Sequence, residues 1–119
     1  MNIQEFSHTT KMSAYTIRYY EKIGLFKHIS RNSSGHRCFT QEDIIWVEFV
    51  KRLKDTGMSL RNIREYADLR EEGEHTSALR MQLLEEHAKQ LEEKINLEKR
   101  HLRKLKEKIT YYKNIEKTN

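Results

Sequence analysis

A short stretch near the N-terminus carries residue types whose spacing suits binding to a polyanion. The ten residues 16–25 read TIRYYEKIGL and place one guanidinium and two phenols on a single helical turn. Arginine forms paired hydrogen bonds with phosphate or guanine edges, and a tyrosine hydroxyl bonds phosphate while its ring packs. We therefore predict that Arg18 and Tyr19 contact a nucleic acid. Tyr20 follows Ile17 by three residues and is either a contact or a core residue.

A turn further along the chain offers a second group of contacts. In the segment Ser34-Gly35-His36-Arg37, glycine permits close backbone approach, and an arginine at a loop tip can reach the phosphates flanking a groove. Tyr15 and Thr16 precede Arg18 on the same helical stretch and are placed to read base edges. The predicted DNA-binding set is therefore Ser13, Tyr15, Thr16, Arg18, Tyr19, Tyr20, Lys22, Gly35, His36 and Arg37.

Two short helices must position the first of these groups. Residues 3–10 are predicted to form one helix, and Ser13 caps a second that runs to about Ile23. The tight turn at Lys11-Met12 makes the pair a helix-turn-helix. Gly24 then suits the left-handed residue that ends a helix.

The second group requires a small β wing. Turn formers at residues 32–35 separate two short segments, Lys27–Arg31 and His36–Phe39, which we interpret as paired strands. Beyond the wing, Thr40 caps a helix that extends to about Thr56. Ser59 caps another helix, which Gly73 closes.

A heptad pattern dominates the rest of the chain. Its 3-4 spacing holds over more than four heptads with one violation, Glu98 at a d position, and a sustained period of 3.5 predicts a coiled coil. The predicted dimerisation residues are Met81, Leu84, Ala88, Leu91, Ile95, Leu102, Leu105, Ile109 and Tyr112. Because the flanking e and g positions are mostly lysine, parallel pairing would oppose like charges, so we predict an antiparallel coil. A helix of about forty residues is ~60 Å long, close to two turns of duplex DNA.

These patterns divide the chain as follows. We predict a mainly α protein with a winged helix-turn-helix domain at 1–72, a hinge at 73–76, a dimerisation helix at 77–117 and a tail at 118–119. The chain has 119 residues, a size that fits one such domain plus an appendage, and a net charge of +5. Residues 1–40 hold six Lys or Arg against two acids, an excess that suits a polyanion partner.

Composition also excludes several classes of protein. No apolar run approaches the ~20 residues of a membrane helix, and no signal peptide is visible, so we predict a cytoplasmic protein without membrane contact. Cys38 is the single cysteine, which excludes an internal disulfide and a multi-cysteine zinc site. His75, His87 and His101 lack the i, i+4 spacing of helical metal ligands. We predict no metal, no cofactor and, without a phosphate loop or a positioned base, no enzyme activity.

The order of these features resembles the MerR family of winged-helix transcription regulators over nearly the whole chain. The resemblance implies a homodimer on an inverted-repeat promoter in double-stranded DNA. It also implies that promoter distortion brings misaligned RNA polymerase elements into register. The family reads glycine-tyrosine-arginine-any-tyrosine where this chain has Gly35 to Phe39, which makes Arg37 a backbone contact. This chain departs from the family at His36, at Lys11-Met12 instead of glycine-valine, and at His28 instead of proline.

Sensing chemistry does not transfer from the resembled family. The similar aldehyde-responsive subgroup carries its reactive cysteine at the position we align with Arg52, and the metal-sensing branch has cysteines around the long helix where this chain has none. Cys38 is either a passive wing residue or an electrophile sensor activated by neighbouring Arg37. Any small-molecule effector is unidentified. The alternatives to a transcription regulator are an architectural or excisionase-like DNA-binding protein and a coiled-coil adaptor.

Overall fold

The computed structural model of the chain describes residues 1–118, and Asn119 lies outside them. Its elements are α1 (Ile3–Thr10), α2 (Ala14–Lys22), β1 (Ser30–Arg31), β2 (Arg37–Cys38), α3 (Gln41–Asp55), α4 (Leu60–Glu72) and α5 (Ser77–Thr118). One turn of 3-10 helix, Glu74–Thr76, precedes α5. The chain divides into two compact units, Met1–Leu83 and Leu84–Asn119. The predicted fold class, mainly helical with a small β wing and a long C-terminal helix, is confirmed.

Side-chain caps begin the helices where the sequence predicts them. Ser13 Oγ accepts the Thr16 N–H of α2 at 3.0 Å. Thr40 and Asp43 form a reciprocal capping box at the start of α3, and Ser59 caps α4. Each cap satisfies a backbone N–H that would otherwise lack a partner in the first turn, so local chemistry fixes these helix starts.

Aromatic side chains join the helix-turn-helix to the wing. Phe6 of α1 is fully buried and stacks on Phe39 at 4.2 Å between ring centroids. Phe26 and Phe6 form a T-shaped pair with their ring centroids 6.1 Å apart. On the other side of the core, Trp46 of α3 donates from Nε1 to the Leu25 carbonyl at 2.7 Å. The loop after α2 is therefore held from both α1 and α3, and this fixes where the wing begins.

The wing strands are shorter than predicted. The sequence indicated Lys27–Arg31 and His36–Phe39, whereas only Ser30–Arg31 and Arg37–Cys38 pair. His28 adopts a left-handed φ of 61°, which interrupts an extended strand, and its Nε2 lies 2.6 Å from Glu71 of α4. Proline cannot adopt a positive φ, so the loop of this chain is incompatible with the residue of the resembled family at that position.

Lys11 provides a stability test at the helix-turn-helix turn. It ends α1 with φ 58° and ψ 31°, a left-handed conformation in which a Cβ crowds the following carbonyl. We expect Lys11→Gly to raise the free energy of unfolding by up to about 1 kcal/mol, because glycine relieves that strain. Urea unfolding measures the change. The matched control Lys54→Gly, in the last turn of α3, should lose up to about 1 kcal/mol. Equal destabilisation by both substitutions would show that Lys11 is unstrained.

The second unit consists of the remaining part of α5. None of the α5 residues Ser77–Thr118 is buried, and most residues of its predicted heptad seam are half-exposed or more. Of the predicted tail, Thr118 is the last residue of α5. Within residues 1–118, none of the helices combines the length and hydrophobicity of a membrane-spanning segment.

Candidate nucleic-acid interface

The second helix of the helix-turn-helix presents an exposed cationic and aromatic edge. The side chains of Tyr15 and Tyr19 lie at the surface, where the two residues are 78% and 42% exposed. Arg18 is exposed, and its guanidinium has no hydrogen-bond or ion-pair partner within residues 1–118. Lys22, one turn later, is also exposed. These groups are free to contact a ligand without breaking an internal interaction.

Tyr20 lies in the core, not on this edge. Only 8% of the residue is exposed, so of the two alternatives left open by the sequence its ring takes the packing role. Burial raises the pKa of Tyr20, and the nearby charge of Asp55 and then Tyr19 raise it further. The hydroxyl therefore remains protonated at neutral pH and is available as a hydrogen-bond donor.

The hydroxyls at the start of α2 are partly engaged by the cap itself. Ser13 Oγ accepts the Thr16 N–H and also donates to Thr16 Oγ1 at 2.8 Å. Thr16 is half-buried whereas Ser13 is exposed. The hydroxyls of Ser13 and Thr16 are thus hydrogen-bonded to each other at the start of α2.

A cleft of about 650 Å³ lies between the start of α1, α2 and the wing. Its lining includes Arg18, Asn32, Gly35, His36 and Arg37. Asn32 Oδ1 accepts the N–H groups of Ser34 and His36, both at 3.0 Å, and Gly35 adopts a φ of 80° that side chains rarely tolerate. The structure therefore brings the predicted wing residues and Arg18 together around one cleft.

Arg37 of the cleft lining forms an ion pair that sequence reasoning missed, with a partner outside that lining. Arg37 lies on β2, not at the wing tip, and its Nε donates to Glu21 Oε1 of α2 at 2.7 Å. Arg31 of β1 places Nη2 3.6 Å from Glu21 Oε2. No local spacing indicates this cluster, since Glu21 and Arg37 are sixteen residues apart. The one available signal was the alternation of side chains between the two faces of a predicted strand, which places Arg31 and Arg37 on the same face of the wing.

Cys38 follows Arg37 in the lining of the same cleft. The residue is half-buried, and its Sγ lies 3.9 Å from the His36 carbonyl oxygen. A group attached to this sulfur would therefore enter the space shared by Arg18 and the wing. Within residues 1–118 no group of three His, Cys, Asp or Glu side chains is arranged to hold a metal ion.

Two helices joined by a tight turn, a two-stranded wing and an exposed cationic helix edge define a winged helix-turn-helix protein. In helix-turn-helix proteins the second helix enters the major groove of DNA. Residues 1–69 match the family described as MerR HTH family regulatory protein, and residues 44–110 match the one described as MerR, DNA binding. The chain belongs to the MerR family.

Relatives share both sequence and fold with this chain. Over 91 residues it is 36% identical to the HTH-type transcriptional regulator AdhR of Bacillus subtilis (strain 168). The aligned region covers 76% of this chain and 65% of AdhR. A crystal structure from Listeria monocytogenes, assigned to the MerR family of transcriptional regulators, has 40% identity and a TM-score of 0.90, covering 94% of this chain and 85% of that one. HiNmlR, a MerR family regulator lacking the sensor domain and bound to promoter DNA, has 34% identity and a TM-score of 0.85, covering 95% and 90%.

Proposed function

We propose that the protein is a sequence-specific DNA-binding transcription regulator that acts as a homodimer on an inverted-repeat promoter. The observation that carries the proposal is the shared cleft, since Arg18 on α2 and the wing residues Arg31 and Arg37 line it together. Base contacts from the helix and phosphate contacts from the wing would then be made in one register. The structural likeness to HiNmlR, itself bound to promoter DNA, supports this function.

Dimerisation through α5 is the second part of the proposal. The helix has 42 residues, none of them buried, although apolar side chains recur along one stripe. An amphipathic helix of this length is stabilised when the stripe packs against a partner. We assign the coil to residues 77–117 and the DNA-binding domain to 1–72. The exposed seam residues include Met81, Ile95, Leu102, Leu105, Ile109 and Tyr112.

Charge distribution along α5 favours an antiparallel pair. Residues 81–98 hold five acids and two lysines, whereas residues 99–117 hold eight Lys or Arg and two acids. A parallel pair would set the basic segment against its own copy, and an antiparallel pair sets it against the acidic one. Like charges across a helix interface disfavour pairing, so we propose the antiparallel arrangement.

Regulation would follow from deforming the promoter. A dimer that holds both half-sites can offset the ~1–6 kcal/mol needed to bend a site of 20–30 base pairs, because bending permits further contacts. Such distortion would change how RNA polymerase engages the promoter. A regulator of this kind works in the cytoplasm, and the proposed role requires no catalysis or cofactor.

Selection from a random pool of duplex DNA tests this function. We expect the wild-type protein to enrich an inverted repeat and to bind it as two protomers per duplex. Transcription from a promoter carrying that repeat should then change when the protein is added. Enrichment of no sequence would favour an architectural DNA-binding role, and the absence of any DNA binding would contradict both and favour a coiled-coil adaptor.

A further inference from the structure

The wing places two arginines directly opposite each other. In the antiparallel pairing of β1 and β2, Arg31 is the register partner of Arg37. Like charges directly opposite on paired strands are destabilising, and two strands of two residues each have few backbone hydrogen bonds to offset the repulsion. A counter-charge is therefore required where the two guanidinium groups meet.

Glu21 of α2 supplies that counter-charge. One carboxylate oxygen accepts from Arg37 Nε at 2.7 Å, and the other lies 3.6 Å from Arg31 Nη2. The side chain of Glu21 is 23% exposed and that of Arg37 is 25% exposed, so solvent screens this pair less than most surface pairs. Arg31 also donates from Nη1 to the Gly35 carbonyl at 3.2 Å, which ties the wing tip to the same cluster.

The geometry leaves the outer part of one guanidinium available. Arg37 uses Nε for Glu21, and its terminal nitrogens make no hydrogen bond with any residue in 1–118. Arginine binds phosphate through such terminal nitrogens. Glu21 therefore holds Arg37 without consuming the atoms that a DNA phosphate would contact.

We infer that Glu21 is a positioning residue, and that it determines how much more tightly this protein binds its own DNA site than other DNA. The inference rests on the proposed function. With Glu21 in place, the wing arginines stay at a fixed distance from α2, so phosphate contacts form only when the helix is in register with its bases. Without that carboxylate, two mobile cations attract any duplex.

The variant Glu21→Gln tests this role, since it removes one negative charge at nearly constant shape. The probes are a duplex selected from a random pool by the wild-type protein and a scrambled duplex of the same composition. We expect the affinity for the selected duplex to fall about tenfold and that for the scrambled duplex to rise. The slope of log affinity against log salt should steepen by about one charge per protomer.

Two further variants separate positioning from general charge and from folding. Glu65→Gln makes the same charge change at an exposed position of α4 outside the cleft lining, and it should leave the ratio of the two affinities within about twofold. Adding Arg31→Gln to Glu21→Gln removes the repulsion together with one wing cation. The double variant should therefore bind both duplexes more weakly than the wild-type protein, yet recover the wild-type salt slope and most of the ratio of the two affinities. A purely structural role for Glu21 predicts instead that the double variant is worse than the single one.

The outcomes distinguish this inference from the proposed function. If the wild-type protein discriminates between the two duplexes and Glu21→Gln discriminates equally well, the positioning role is wrong and the function stands. If the wild-type protein fails to discriminate, both are wrong. Amide hydrogen exchange gives a readout without DNA. The Asn32 amide donates to the His36 carbonyl across the wing at 2.9 Å, so Glu21→Gln should accelerate exchange at Asn32 and Cys38 while leaving α3 unchanged. Unchanged exchange in the wing would also overturn the inference.

Discussion

Replacing Arg18 with alanine should strongly weaken specific DNA binding and leave the fold intact. Its guanidinium is exposed and has no partner within residues 1–118, so truncation removes no internal contact. A lost arginine contact to a base costs ~1–3 kcal/mol at each half-site. A dimer makes the contact twice, and free-energy losses at well-separated sites add. We therefore expect the affinity to fall about 30-fold or more. Fluorescence anisotropy with the selected duplex measures it.

The control for Arg18 is another exposed arginine. Arg61→Ala on α4 removes the same charge outside the cleft lining and should change the affinity only a few-fold. Circular dichroism of both variants should match the wild-type spectrum. Wild-type affinity in a folded Arg18→Ala protein would remove this residue from the DNA interface.

Among the substitutions proposed for this protein, Phe6→Ala should cause the largest loss in the free energy of unfolding. Phe6 is fully buried and contacts the rings of both Phe26 and Phe39, so one truncation opens a cavity between α1, the loop after α2 and the end of the wing. Substitutions of this type cost about 3–5 kcal/mol. Urea unfolding followed by far-UV circular dichroism measures the change, and DNA binding should weaken with it because the wing loses its support.

A conservative change at the same position shows whether packing is the cause. Phe6→Leu fills most of the space and keeps an apolar side chain, so its loss of stability should be clearly smaller than that of Phe6→Ala. A loss below about 1 kcal/mol for Phe6→Ala would mean that the aromatic cluster does not hold the wing.

Helix starts were predictable because their causes are local. Ser13, Thr40 and Ser59 each accept a backbone N–H three residues ahead, and a residue type with this spacing can be recognised in one sequence. The helix-turn-helix and the wing turn were predicted for the same reason. Both depend on short segments bounded by residues with distinct backbone preferences.

Features that depend on distant residues were not predictable. The strand beginning at Lys27 was predicted too long. In the structure Lys27 and His28 lie in a loop, where they contact Asp68 and Glu71 of α4, far along the chain. The pairing of Arg37 with Glu21 likewise follows from tertiary packing and not from spacing. The sequence did not decide whether Tyr20 contacts DNA or packs in the core, because a buried residue of a helix can lie next to an exposed binding edge.

Half-site spacing tests the central claim most directly. Five base pairs inserted at the centre of the selected inverted repeat rotate one half-site by about half a turn, given ~10.5 base pairs per turn. We predict that wild-type affinity then falls at least a hundredfold, towards that of a duplex with one half-site, while protection from nuclease digestion is lost on one side. Unchanged affinity and two-sided protection after the insertion would contradict a dimer that reads an inverted repeat.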